Sequence, residues 1–167
     1  ADDIRDFQIE EMSIGDSLLD YFNKEKITNN IQEYYNDDEY SAVVFASSSV
    51  EYDFIQIHFK TYDKKFIIHS LDGIFKIESI KSCIKKKDKI AKEISEVFSS
   101  LTKEARDGWN MASGQGKLYG VMYKFSSGDF IEVVCYEYKE ELKKPNHGRV
   151  AIVKKDLDDW IVYKAHK

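Results

Sequence analysis

Two cysteines, four histidines and a cluster of tyrosines carry most of the chemistry this 167-residue chain offers. Strands read over residues 52–60 and 65–71 are joined by the tight connection Tyr62-Asp63-Lys64-Lys65. With Asp63 and Lys64 as the two turn residues, His58 stands directly opposite His69, their Cβ atoms roughly 5 Å apart. Two facing imidazoles make a candidate metal or proton site. The plainer alternative is an exposed pair whose mutual repulsion discourages charging. His147 falls in a loop and His166 at the C-terminus.

Cys83 lies on the edge of an apolar helical stripe and Cys135 lies mid-strand. A stripe and a strand face that bury one another would aim both thiols into one layer. In an oxidising compartment such a pair joins when the Cα atoms come within about 7 Å. Two separate buried thiols, packing as small hydrophobes, fit the same sequence.

Strands over 118–125 and 130–138 flank Ser126-Ser127-Gly128-Asp129, the clearest hairpin in the chain. Pairing Phe125 with Phe130 collects Tyr119, Val121, Tyr123, Val134 and Tyr136 on one face. Leu118, Met122, Ile131, Val133 and Cys135 take the other. Tyr119, Tyr123 and Tyr136 then form either a second core or the lining of a ligand groove, since tyrosine combines apolar area with a polar tip.

Other patterns carry less. Gly114-Gln115-Gly116-Lys117 precedes a strand, whereas a phosphate-binding loop leads into a helix. Asp37-Asp38-Glu39 has no calcium-loop spacing. No Ser-His-acid set, nucleophile elbow or zinc-ligand spacing is legible. No catalytic residue and no cofactor follows from the sequence.

These residues need elements to position them. Residues 79–108 read as one long amphipathic helix. Ile80, Ile84, Lys87, Ala91, Ile94, Phe98 and Leu101 recur every three or four positions, Ser79 supplies an N-cap and Gly108 a stop. The lysines between them alternate with acids and read as a solvated face. Short helices are expected over 18–22 and 25–31 and a closing helix over 156–164. Further strands are expected at 42–46 and 149–154, and an edge strand within 1–12. Strands arriving as hairpins, with helices before, between and after them, predict an α+β fold. The expectation is one domain spanning 1–167: a single antiparallel sheet of about five to seven strands with the long helix packed across one face.

Composition narrows the function classes. The net charge of −5 argues against general nucleic-acid binding, and no apolar run is long enough to span a membrane as a helix. Charge is uneven: residues 1–60 sum to −10 and residues 61–167 to +5. The opening Ala1-Asp2-Asp3 reads as a processed signal-peptide junction or an expression remnant.

The stretch Met12-Ser13-Ile14-Gly15-Asp16-Ser17-Leu18-Leu19 resembles the opening of small exported bacterial proteins of uncharacterised function. In these a short strand enters a helix through such a turn. The lysine-rich segment 77–98 and the Cys-bearing strand after Gly128-Asp129 are similar to their later elements. The resemblance implies export and an α+β fold, and brings no activity or site residues.

The expectation for function is therefore a non-enzymatic periplasmic or secreted domain that binds an unknown small molecule or protein. The alternatives are a hydrolase-like enzyme with a site assembled from scattered residues, including His58 or His69, and a structural accessory of an envelope complex.

Overall fold

Ile55, Ile57 and Phe59 alternate with Gln56, His58 and Lys60, and that period of two gives one strand two different faces. The computed structural model describes residues 3–167 and builds the whole sheet on this principle; Ala1 and Asp2, the start of the acidic opening, lie outside the described residues. Eight strands form one antiparallel sheet: β1 (Ile31–Gln32), β2 (Tyr40–Ala46), β3 (Phe54–Lys60), β4 (Ser70–Lys76), β5 (Thr102–Asn110), β6 (Gly116–Lys124), β7 (Phe130–Tyr138) and β8 (His147–Val153). Their spatial order is β1-β2-β3-β4-β8-β7-β6-β5. Among the described residues three α-helices accompany them, α1 (Lys24–Asn29), α2 (Ile80–Val97) and α3 (Lys155–Tyr163), together with short 3-10 turns at Ile4–Asp6, Leu18–Asp20 and Glu140–Leu142. The expectation of five to seven strands and a long helix is thereby corrected. The sheet has eight strands, and α2 is 18 residues long.

The helix is shorter for a local reason. Phe98 caps α2, and after Ser99-Ser100 the chain turns into β5. Residues 102–110, read as the helix end and a loop, instead pair with β6 across a bulge at Asp107/Trp109. Most of β5 is exposed, and it carries Lys103, Glu104, Arg106 and Asp107. Such charges discourage further edge-to-edge pairing.

α2 lies over one sheet face, start fixed by a reciprocal cap. Ser79 Oγ accepts from the Ser82 amide at 3.0 Å, and Ser82 Oγ accepts from the Ser79 amide at 3.2 Å. Cys83, Lys87, Ala91 and Ile94 form its buried stripe. Cys83, Ala91 and Ile94 meet Val121, Tyr123, Ile131, Val133, Cys135, Val150 and Ile152 in the main core, which continues through Ile55, Ile57, Phe59 and Leu71. Cys83 and Cys135 form a disulfide across this layer, with Cα atoms 6.0 Å apart. Cys83 is 1% exposed and so belongs to the buried stripe itself, rather than to its edge.

The opposite face carries a smaller apolar cluster of Tyr40, Met122, Phe130, Ala151, Val153, Leu157, Trp160 and Ala165, under α3 and the C-terminus. Trp160 Nε1 donates to Asp37 Oδ1 at 2.6 Å, tying α3 to the loop before β2. No helix among the described residues is long and apolar enough to cross a membrane.

Two hairpin registers differ from the sequence reading. The β6–β7 loop is Ser126-Ser127-Gly128, because Phe125 N donates to Asp129 O and Gly128 takes φ +89°. A three-residue loop of this kind ends in a left-handed residue that glycine adopts cheaply. Tyr119 consequently pairs with Cys135 and Tyr123 with Ile131. Tyr119 and Tyr123 face α2, and Tyr136 faces the other way: a one-residue slip moves a side chain to the opposite face. The second change lies before β4. Residues 61–69 form an irregular connection containing Phe66 at φ +49°, and the strand that follows runs from Ser70 through Asp72-Gly73 to Lys76. His58 therefore pairs with Ser70, not His69.

Candidate functional site

The sheet face away from α2 contains buried charge. Along β4 and β8, apolar residues point to α2 while Ser70, Asp72, Arg149 and Ala151 point to the opposite side, joined there by Gln56 and His58 of β3 and Phe130 and Glu132 of β7. Tyr34 and Tyr35, on the chain after β1, form one wall with His166. Leu157, Asp158 and Ile161 of α3 form another, and the half-open cavity between them measures about 380 Å3. Its volume is at the low end for small-molecule sites, ~300–1,000 Å3. A larger groove of about 510 Å3 lies along α2 beside Phe7 and Tyr52. Its acids Glu51 and Glu93 and its Lys89 are exposed, so it lacks the desolvated charge of the first.

His58 is 3% exposed and held at both nitrogens. Its Nδ1 is 2.7 Å from Ser70 Oγ and its Nε2 is 2.7 Å from the Tyr35 hydroxyl. Burial, reinforced by the Arg149 charge, pushes its pKa down to about 4, so the ring is neutral at pH 7. A neutral imidazole donates from one nitrogen and accepts at the other, which suits two hydroxyl partners. Burial raises the Tyr35 phenol to about 12, and the Asp72 charge adds to this.

Arg149 lies among acids. Its Nη2 donates to Glu132 Oε1 at 2.9 Å, and its Nη1 is 3.7 Å from Asp72 Oδ2. Burial works against its charge, but Tyr136, Asp72 and Glu132 hold the guanidinium protonated above its ordinary range. Asp72 is less well served. Its side chain is 5% exposed, and its contacts are the long one to Arg149 and a 3.4 Å bond from Gln56 Nε2. Burial raises it to about 6; nearby Glu132 adds to the shift, and Arg149 and Gln56 oppose it. Asp72 Oδ1 and Arg149 Nε are buried without a hydrogen-bond partner among the described residues. Such groups are rare in folded proteins and cost free energy. Asp158, at the cavity rim, is also raised, first by burial and then by Glu132 and Asp159.

Of the residues singled out in the sequence, His58 lines this cavity and His69 does not. The His69 ring stacks edge-on against Tyr40, centroids 5.4 Å apart, with Nδ1 buried and unpartnered. No group of three or more His, Cys, Asp or Glu among the described residues is arranged to hold a metal ion. Tyr123 donates to Ala91 O at 2.6 Å beneath α2, and Tyr119 donates to Glu137 Oε1 at 3.4 Å. Tyr136 stays on the cavity's side of the sheet, where the Arg149 guanidinium lies 5.4 Å above its ring; burial pushes its phenol up to about 12. The groove of three tyrosines is thus divided between two faces.

Asp72, Glu132, Arg149 and Tyr35 were not picked out from sequence. A signal was present for Glu132, a charge between apolar neighbours inside an expected strand, where charge is retained only when paired or used; Asp72 and Arg149 fell just beyond and at the end of the expected strands, so nothing marked them.

Chemically, the site offers carboxylates, one engaged guanidinium, a neutral imidazole between two hydroxyls, and an apolar wall. The Ser70–His58 contact has nucleophile–base geometry, but a tyrosine rather than a carboxylate occupies the other ring nitrogen, and Ser70 is 2% exposed. Compared with family models, curated proteins and solved structures, the chain gives no match.

Proposed function

We propose that this protein is a non-enzymatic binding domain, exported to the periplasm or secreted, that takes a small ligand in the cavity between the β3-β4-β8-β7 face, Tyr35 and α3. The observation that carries this reading is the buried, unpartnered Asp72 Oδ1 in the cavity wall. A polar atom left unsatisfied in a pre-formed cavity is a place where binding recovers a lost hydrogen bond. The disulfide supports export, because such bonds persist in oxidising compartments. The test is a fragment screen of mixed charge and polarity, followed by NMR with Tyr35, His58, Ala151 and Ile161 as reporters. Saturable shifts confined to these residues are expected. A screen that moves none of them removes the reading.

A second reading, a hydrolase, has one specific observation in its favour: the 2.7 Å contact between His58 Nδ1 and Ser70 Oγ. It requires Ser70 to become accessible. A serine-reactive fluorophosphonate decides it by mass spectrometry: a Ser70 adduct favours the enzyme, and unmodified protein removes it.

A further inference from the structure

We propose that the ligand of this cavity is a small organic cation, an amine with a short apolar body, held by Asp72 and Asp158. This deepens the binding-domain reading and rests on it.

The argument begins with charge. Three carboxylates, Asp72, Glu132 and Asp158, line the cavity against a single guanidinium, Arg149. Arg149 is committed to Glu132 at 2.9 Å. Asp72 is left with contacts of 3.4 and 3.7 Å and one oxygen without a partner. The Asp158 side chain makes no hydrogen bond or ion pair among the described residues. Neither Asp72 nor Asp158 has a close ion-pair partner, since Lys155 and Arg106 act on Asp158 only at a distance, and a cation between the two acids supplies one. Arg149 keeps one unpartnered donor, its Nε, but an anion reaching it would meet three carboxylates, one of them already bonded to the same guanidinium, so the balance of charge in the lining favours a cation.

The uncharged walls fit the same ligand. Tyr34 and Tyr35 pack edge to face, centroids 6.0 Å apart, on one side. Aromatic rings attract ammonium groups. Phe130, Leu157 and Ile161 offer the apolar surface that a carbon body would cover.

Binding should also follow the protonation of Asp72. The groups facing it are Gln56 and His58 of β3, Glu132 and Tyr136 of β7, Arg149 of β8, Tyr35 of the covering segment and Asp158 with His166 from the C-terminal side. As the pH falls through about 6, Asp72 gains a proton and the attraction for a cation falls with it.

The test compares benzylamine, benzyl alcohol and benzoate, three probes of one shape and different charge, by NMR at about pH 7.5. Benzylamine should shift Tyr35, His58 and Ala151 saturably and bind at least about tenfold more tightly than the alcohol, as expected when a buried acid acquires a charged donor. Asp72→Asn should cost about tenfold of that affinity and Asp158→Asn about threefold, while benzyl alcohol binding stays within twofold in both. If Asp72→Asn does not fold, Asp158→Asn on the open first turn of α3 and the loss of wild-type binding between about pH 7.5 and 5 carry the test. Equal or tighter binding of the alcohol or of benzoate overturns the cationic ligand and leaves the cavity as a binding site. Silence from all three probes overturns it too, and the cavity reading then falls only if the wider fragment screen is also silent.

Discussion

Asp72 Oδ2 approaches Arg149 only to 3.7 Å, while Glu132 holds the same guanidinium at 2.9 Å. Asp72 is therefore a buried acid with a poor partner, and its raised pKa is a free-energy statement. Raised from 3.8 to about 6, it favours the folded state fully below pH 3.8 and loses that contribution as the pH rises through about 6. His58, two strand positions away across the β3–β4 ladder, does the opposite. Lowered from 6.5 to about 4, it contributes fully above pH 6.5 and loses this as the pH falls through about 4. At about 1.4 kcal/mol per pH unit, each amounts to about 3 kcal/mol, of opposite sign in one window.

The first prediction follows from that opposition. In the difference from wild type, Asp72→Asn should make stability rise more steeply from pH 4 to 6, because the His58 contribution is no longer offset. His58→Gln should make it rise less, or fall. Urea denaturation at intervals of half a pH unit measures both. Parallel pH profiles for the two variants and wild type would show that neither group titrates as its surroundings imply.

How far the fold was legible depended on which signal a segment carried. Burial periodicity marked β3, β6, β7, β8 and the first five turns of α2, because apolar residues there repeat with one period. It was weak in β5, whose residues are mostly exposed and which is a strand only because β6 pairs with it. Register was harder still. Whether Phe125 pairs with Asp129 or Phe130 turns on one left-handed glycine, and that decided on which face Tyr119 and Tyr123 lie. The disulfide needed only two faces that bury each other, and both were readable. The cavity needed strands distant in sequence, β4 and β8, to lie side by side, and no local pattern states that.

A second prediction concerns the bridge. Cys83 and Cys135 close a loop of 52 residues between α2 and β7. Replacing both by alanine should lower stability by about 2–4 kcal/mol, chiefly by freeing the unfolded chain, with α2 still seated by Ala91, Ile94 and Phe98. Equilibrium urea curves with matched circular dichroism spectra measure this. A loss below 1 kcal/mol would show that packing alone fixes α2.

A third concerns Gly148. A Cβ built there would stand 2.1 Å from the Phe75 ring, which lies across the glycine from its cross-strand partner position and carries Lys86 Nζ 4.0 Å above it. Gly148→Ala should cost about 1–3 kcal/mol through overpacking. Adding Phe75→Leu, which removes the clashing ring, should make the double variant lose less than the sum by about 1 kcal/mol or more. Additive losses in the thermodynamic cycle would place the strain elsewhere.

The last prediction isolates the Tyr35 hydroxyl. It is 2.7 Å from His58 Nε2, and His58 has its other nitrogen on Ser70, so the ring is satisfied only while Tyr35 is present. Tyr35→Phe keeps the ring that packs on Trp160, centroids 4.8 Å apart, and removes only the bond. A buried nitrogen left without a partner costs about 1–3 kcal/mol. Tyr62→Phe is the control: its hydroxyl also bonds, to Asp38, but it is 78% exposed, so that loss should stay within about 0.5 kcal/mol. His58 NMR signals give the independent readout, since a ring that has lost a hydroxyl partner must change its tautomer balance or its shift. Equal, small losses in both variants with unmoved His58 signals would mean that the hydroxyl and the imidazole do not interact in solution.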